Sequence, residues 1–322
     1  MSSPTDGIAR TYRRFAAAEA AGRSPVYAEL ARRISGDERC LAFLAALPAE
    51  KRQPNLLFGA VRLVGGPITG WRDFAATLVG RAAEIARVML SRRTQTNIPA
   101  RCAPLLPALA ALPPPLALVE VGASAGLCLY PDRYGYDYDG HVVPPVDGTG
   151  PVFRCAAGPG VPLPDRPVEV AWRAGLDLAP LDVTDPDDVA WLDALVWPGE
   201  EHLGAQLHAA IEVLRADPPR LVAGDLRTGL PALLAGVPAG ATPVVFHTAV
   251  LAYLPDPADR QRFAETVLGS GATWLAAEAP GLVPGPAAAA AAGRVRPGEF
   301  LLCRDGDPVA ATDPHGAAVR LL

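Results

Sequence analysis

The chain has 322 residues, half of them hydrophobic and a fifth charged, which excludes a disordered or low-complexity protein. A formal net charge of −5 excludes a generic basic nucleic-acid footprint. Among the 29 basic residues only Lys51 is lysine, so the Ala, Pro, Gly and Arg content reads as GC-rich codon usage, and an acidic substrate would need a local arginine cluster.

The opening stretch MSSPTDGIARTYRRF is polar and basic, without an apolar core, so no secretory signal is expected. Five scattered cysteines (Cys40, Cys102, Cys128, Cys155, Cys303) show no C-x-x-C or Cys/His ligand spacing. Reduced, buried thiols in a cytoplasmic protein are expected, with no metal site. No run of eighteen apolar residues lacks charges, Gly or Pro, so no membrane segment is expected either.

The first third reads as helical: Ile8–Ala21, Pro25–Ile34, Asp37–Leu47, Gln53–Leu63, Trp71–Leu90 and Arg101–Leu112, separated by Gly, Pro or Asp. Within Trp71–Leu90, the residues Phe74, Leu78, Ala82, Ile85 and Met89 recur every three or four positions and form one apolar face. Pro113-Pro114-Pro115 then stops any helix and marks the expected domain boundary. Residues 1–112 would form an all-α subdomain capping the site, and 116–322 an α/β domain.

After the prolines the texture changes. Leu116–Val121 is a short apolar run, as a buried parallel strand should be. Val168–Leu178, Pro219–Gly224, Pro243–His247 and Thr273–Glu278 read as further strands, and Trp191–Arg215, Thr228–Ala235 and Asp256–Leu268 as helices. This alternation predicts a mostly parallel sheet with helices on both faces. Asp305-Gly306 between Phe300–Arg304 and Pro308–Thr312 predicts a closing antiparallel hairpin. Tyr130–Arg166, rich in Pro, Gly, Tyr and Asp, reads as an insertion (about 130–167) over the sheet, and Ala287–Ala292 as a low-complexity loop. Tyrosines 130, 134, 136 and 138 would line a substrate wall or simply cover the sheet.

The most informative segment is Val119-Glu120-Val121-Gly122-Ala123-Ser124-Ala125-Gly126-Leu127. A strand runs into a turn of small residues and then, by expectation, into a helix whose N-terminus offers unpaired N–H groups. That arrangement suits a nucleotide-like ligand at the carboxyl end of the first strand. Read as E-x-G-x-x-x-G, the segment resembles motif I of class I S-adenosylmethionine-dependent methyltransferases, with Ser124 where those enzymes usually carry another glycine. Read as G-x-S-x-G, it matches the nucleophile elbow of α/β-hydrolases, with Ser124 as nucleophile and His315 as a late partner. Against the hydrolase, no His-Gly-Gly-type segment precedes the motif, and His315 follows a hairpin.

Further segments continue the first resemblance. Asp177, closing RAGLDL, stands where class I methyltransferases hold the ribose hydroxyls, or simply caps a loop. Asp225 and Leu226, in VAGDL, stand beside the adenine in the resembling enzymes. VVFHTAVLAYL ends a strand with His247 and continues to Tyr253. His247 is the candidate for proton transfer, against a hydrogen-bonded structural role.

As a set, SRRTQTN, ALVEVGASAGL, DRYGYDY, RAGLDLAPLDV, ALVWPGE, VAGDL, VVFHTAVLAYL and DPHG resemble the bacterial domain-of-unknown-function 2332 family over nearly the whole chain. The resemblance implies a Rossmann-like, methyltransferase-type fold and no defined activity. Near Trp197 it leads one to expect a more basic continuation than EEHLG. Together these readings give an expected transfer of a methyl group from S-adenosylmethionine to an O or N atom of a small molecule. Glu120, Gly122, Ser124, Gly126, Asp177, Asp225 and Leu226 would hold the cofactor. Arg93, Gln95, Asn97, Trp197 and Tyr253 would face substrate, although Arg92–Asn97 also reads as an ordinary helix end. A Ser124 hydrolase and a non-catalytic ligand-binding protein are the alternatives. Oligomeric state is not encoded.

Overall fold

The computed structural model describes residues 4–95 and 97–322. The chain divides into two compact units. One runs to position 96 and takes in Thr184–Ala205; the other comprises Asn97–Val183 and Gln206–Leu322. The boundary expected at Pro113–Pro115 instead lies inside the second unit. Prolines end a helix because they lack an N–H, but their carbonyls still accept hydrogen bonds. Thr242 donates its backbone N–H to Pro115 O at 2.8 Å and its hydroxyl to Pro113 O at 2.6 Å. The proline run is thereby tied to the first residue of a central strand.

The first unit is helical: Pro4–Arg14 continued by a π-helical turn at Phe15–Glu19, then Pro25–Ile34, Glu38–Ala45, Pro54–Leu63, Trp71–Gly80, Ala82–Ser91 and Pro186–Leu195. Pro25, Pro54 and Pro186 occupy first turns, where the missing N–H costs nothing. Ser24, Asp37 and Asp185 accept N–H groups of the turns that follow them. Tyr27 stacks on Phe58 at 4.2 Å in the centre of this unit. The helix expected over Trp71–Leu90 is in fact two, because Gly80 is a weak helix former and Arg81 N–H closes the first onto Thr77 O. The helix expected over Trp191–Arg215 is likewise divided at Pro198-Gly199, where Gly199 has φ +91°, and resumes as Glu201–Ala216.

The second unit carries twelve strands among the described residues: β1 Leu116–Val121, β2 Gly135–Tyr138, β3 His141–Val143, β4 Val152–Arg154, β5 Ala156–Ala157, β6 Val170–Asp177, β7 Arg220–Ala223, β8 Thr242–Thr248, β9 Thr273–Glu278, β10 Phe300–Arg304, β11 Asp307–Thr312 and β12 Ala318–Leu321. Nine form one sheet in the order β5-β12-β11-β10-β9-β8-β1-β6-β7. β7, β6, β1, β8 and β9 run parallel, and β10, β11 and β12 follow antiparallel. β1, buried along its whole length, lies between β6 and β8, so the direction of winding reverses there. In open α/β sheets, the crevice at such a switch point is where ligands bind. The fold is therefore α/β around a large, mostly parallel sheet, and the expected closing hairpin is present as β10 and β11.

Three sequence expectations change here. Ala287–Ala292 is largely helix, Pro286–Ala291, as alanine's helix propensity with proline at the first position favours. β12 was not expected. The Tyr130–Arg166 segment builds a small sheet, β3-β2-β4. Its tyrosines are covering residues, all buried: Tyr134, Tyr136 and Tyr138 donate their hydroxyls to the carbonyls of Leu127, Pro131 and Ala103, and Tyr130 donates to Asp217 O. No helix of the described residues is long and apolar enough to cross a membrane.

Candidate functional site

The glycine turn leaves β1 at the switch point, but no α-helix follows it. Leu127–Leu129 makes a single 3-10 turn, so the expected helix N-terminus and its dipole are missing. The turn's donors are used inside the protein instead. Gly122 and Ala123 donate to Leu176 O, Ser124 to Asp177 Oδ2 at 2.8 Å, Ala125 to Asn97 Oδ1 at 3.2 Å, and Gly126 to Ala123 O. Gly122 (φ +70°) owes its glycine to packing: a Cβ there would stand 2.5 Å from Val250 Cγ2. Gly126 (φ +79°) is pressed against Pro219 and Leu221 in the same way.

Ser124 has φ +50°, in the left-handed region, and is 4% exposed. Its hydroxyl accepts from Asn97 Nδ2 at 2.8 Å, and an amide cannot take a proton from it. Asp177, at the end of β6, accepts from Ser124 N with one oxygen and from Ala179 N with the other. A carboxylate oxygen has a second lone pair, so Asp177 retains accepting capacity toward a ligand.

Across the switch point the strand ends carry a second polar wall. Glu120 (β1) and Glu278 (β9) are both buried, and Oε2 of each has no partner. Burial, reinforced by Cys128 and Asp177, raises the Glu120 pKa well above the ordinary carboxyl value, and Arg101 opposes this. Glu278 Oε1 accepts from Val250 N, Leu251 N and His247 Nδ1. His247, fully buried, also accepts at Nε2 from Trp274 Nε1, 2.9 Å away. Indole nitrogen only donates, so the imidazole is fixed as the Nδ1–H tautomer with both nitrogens engaged. The expected proton-transfer role of His247 is thereby corrected: it orients Glu278 and has no lone pair for substrate.

Arg101 completes this wall. It is 8% exposed, and donates from Nε to Pro314 O at 2.7 Å and from Nη1 to Thr248 Oγ1 at 3.3 Å. Pro314 belongs to the DPHG turn, brought close because Gly316 (φ +90°) has no side chain: a Cβ would overlap Ala100 O. Cys128 lies near the guanidinium; a hydrogen bond with the Cys102 thiol, then the Arg101 charge, lowers its pKa against the effect of burial. Tyr253, 61% exposed, is within electrostatic reach of Arg101, Asp177 and Glu278.

The remaining predicted residues are dispersed. Asp225 caps the helix Leu226–Leu234 and is bound by Arg227, which holds its carboxyl below the ordinary range. Leu226 packs on the hydrophobic core. Arg93, Gln95 and Trp197 belong to the helical unit. Arg93 O accepts from Trp191 Nε1, and Gln95 is half-buried. Trp197 contacts Phe15 and Tyr27, with the Arg23 guanidinium 4.4 Å from its ring centre. Glu200, which opens the stretch where a more basic continuation was expected, forms the ion pair that holds Arg23. Thr96, within the same polar run, lies outside the described residues. Sequence reasoning missed Arg101 and Glu278. For Glu278 a signal existed, a carboxylate closing an apolar strand as Asp177 does.

The family described as uncharacterized proteins conserved in bacteria, domain of unknown function 2332, matches residues 9–320. The chain belongs to this family. The sequence resemblance at the glycine turn, at Asp177 and at DPHG falls on segments that the fold of this chain gathers at the carboxyl end of one sheet. No curated protein matches the chain, and no solved structure does.

Proposed function

We propose that the carboxyl end of the sheet binds S-adenosylmethionine and that the protein transfers its methyl group to an O or N atom of a small molecule. The observation that carries this reading is the state of the turn: all five N–H groups from Gly122 to Gly126 bond within the protein, while the Asp177 carboxylate is held against them. A dinucleotide pyrophosphate would find no donors there. S-adenosylmethionine has no phosphate and carries a sulfonium cation, which suits a site bounded by Glu120, Asp177 and Glu278. The order β7-β6-β1-β8-β9, a Rossmann-like arrangement, supports the same reading.

Asp177 would hold the ribose hydroxyls, and the unpartnered oxygen of Glu120 the positively charged end. Bound there, the cofactor would supply an electrophilic methyl group. With His247 enclosed, the protein's contribution is alignment of the acceptor and exclusion of water. All five cysteines are free and buried, in keeping with a cytoplasmic setting.

Calorimetric titration with S-adenosylmethionine and S-adenosylhomocysteine tests the proposal. Micromolar binding is expected, weakened at least tenfold in Asp177→Ala. Absence of binding by folded protein would reject it. Labelling of Ser124 by a fluorophosphonate would favour the hydrolase suggested by its positive φ, and binding without transfer to any acceptor would favour a binding protein.

A further inference from the structure

Arg101 is a buried guanidinium with no carboxylate in ion-pair contact among the described residues, Glu120 and Glu278 lying only within electrostatic reach. Of its five N–H donors, two are used, on a carbonyl and a hydroxyl, and among the described residues no carboxylate pairs with it. Burial lowers its pKa, so the fold works against the charge it keeps. Within its electrostatic reach lie two residues with the opposite anomaly, the buried carboxyl oxygens Glu120 Oε2 and Glu278 Oε2, which have no donors. Buried polar atoms are normally satisfied. Two buried carboxyl oxygens without donors, and a buried guanidinium with N–H groups to spare, at the ends of β1, β8 and β9 are complementary to a ligand that offers both N–H donors and an anion.

We propose that Arg101 binds a ligand carboxylate and that Glu120 and Glu278 accept from a ligand ammonium group, so that the site takes an α-amino acid moiety. Arg101 is suited to the anion because its planar fork matches a carboxylate in a bidentate pair. Its anchors, Thr248 and Pro314, fix the guanidinium on the β8 side of the switch point, whereas Asp177 stands at the end of β6 on the other side of β1. The amino-acid subsite is therefore separate from the Asp177 position. Its occupant is either the amino-acid end of an adenosyl ligand, which rests on the reading above, or a free amino acid, which does not.

The two sources separate in one experiment. Wild type, Arg101→Met and Arg101→Lys are titrated with S-adenosylhomocysteine and with 5′-methylthioadenosine, which lacks the amino acid. Thermal unfolding is followed in parallel with each of the twenty free amino acids, and far-UV circular dichroism verifies folding. If the carboxylate is the adenosyl ligand's, Arg101→Met weakens S-adenosylhomocysteine at least tenfold, leaves 5′-methylthioadenosine within about twofold, and Arg101→Lys falls between. If it belongs to a free amino acid, at least one raises the wild-type midpoint and not that of Arg101→Met. That second pattern, with neither adenosyl compound bound, sustains this inference while rejecting the S-adenosylmethionine reading. A folded Arg101→Met protein that responds to every compound as wild type does overturns it, as does a wild type that responds to none.

Discussion

Arg173 and Arg101 are both largely withdrawn from water in the sheet unit, and their surroundings differ. Arg173 makes a two-pronged ion pair with Asp132 at 2.9 Å, donates to Leu129 O and lies 4.2 Å from the ring centre of Tyr130. Arg101 has two neutral acceptors and no carboxylate in ion-pair contact, Glu120 and Glu278 lying only within electrostatic reach. On the insertion side, where Arg173 fastens Tyr130 and Asp132 to β6, the fold supplies a carboxylate in two-pronged contact with the guanidinium. At the switch point it leaves a guanidinium with no carboxylate in contact and two buried carboxyl oxygens without donors. A fold tolerates such a deficit where a ligand removes it, and the cost appears in the stability of the empty protein.

Mutations on the two sides should separate them. The largest effect is expected on the satisfied side. Asp132→Ala leaves Arg173 buried and unpaired and should cost about 3–5 kcal/mol in urea unfolding; a loss below about 1 kcal/mol would remove the contrast. His247→Ala breaks a chain that links Trp274 to Glu278 and should cost about 2–4 kcal/mol. The same variant should leave the shape of any pH–rate profile unchanged, and loss of a limb near neutrality would restore His247 as the proton-transfer group. Gly122→Ala forces a Cβ into a left-handed position against Val250 and should cost roughly 1–3 kcal/mol. A neutral result would mean that the turn is not held as described.

The smallest effect concerns Glu120, which faces Cys128, Asp177 and Arg101. Its carboxyl has a higher pKa folded than unfolded, so the folded state binds more protons there. The resulting stabilisation is complete below the unfolded value and is lost as pH rises through the folded one. From the ordinary carboxyl range upward, wild-type stability should therefore carry a falling component that Glu120→Gln lacks. Urea unfolding across a pH series checks this; parallel curves for the two proteins would contradict it.

Much of the sheet was legible because its signals are local. The bounds of β1, β9 and β10 follow from short apolar runs, and the final hairpin from Asp305-Gly306. The missing helix after the turn also had a local signal: Pro131 would clash with the carbonyl of residue 127 in a helix starting there. The domain boundary was misplaced because a break in helix was read as a break in packing, and the proline carbonyls are bound to Thr242. The site was less legible because its character lies in partners distant along the chain. Arg101 depends on residues 248 and 314, and His247 is neutralised as a catalytic candidate by residues 274 and 278. Nothing near position 101 indicates that its charge will be buried with no carboxylate in contact.

The most direct test is the unfolding free energy of Arg101→Met beside wild type, with and without saturating S-adenosylhomocysteine. Without ligand, removal of an unpaired buried charge and of two hydrogen bonds should nearly cancel, leaving the two proteins within about 1 kcal/mol. With ligand, wild type should be the more stable by at least about 1.4 kcal/mol, the equivalent of a tenfold difference in affinity. A loss of about 3–5 kcal/mol in the empty protein, unchanged by ligand, would make Arg101 a structural arginine like Arg173 and would contradict the account.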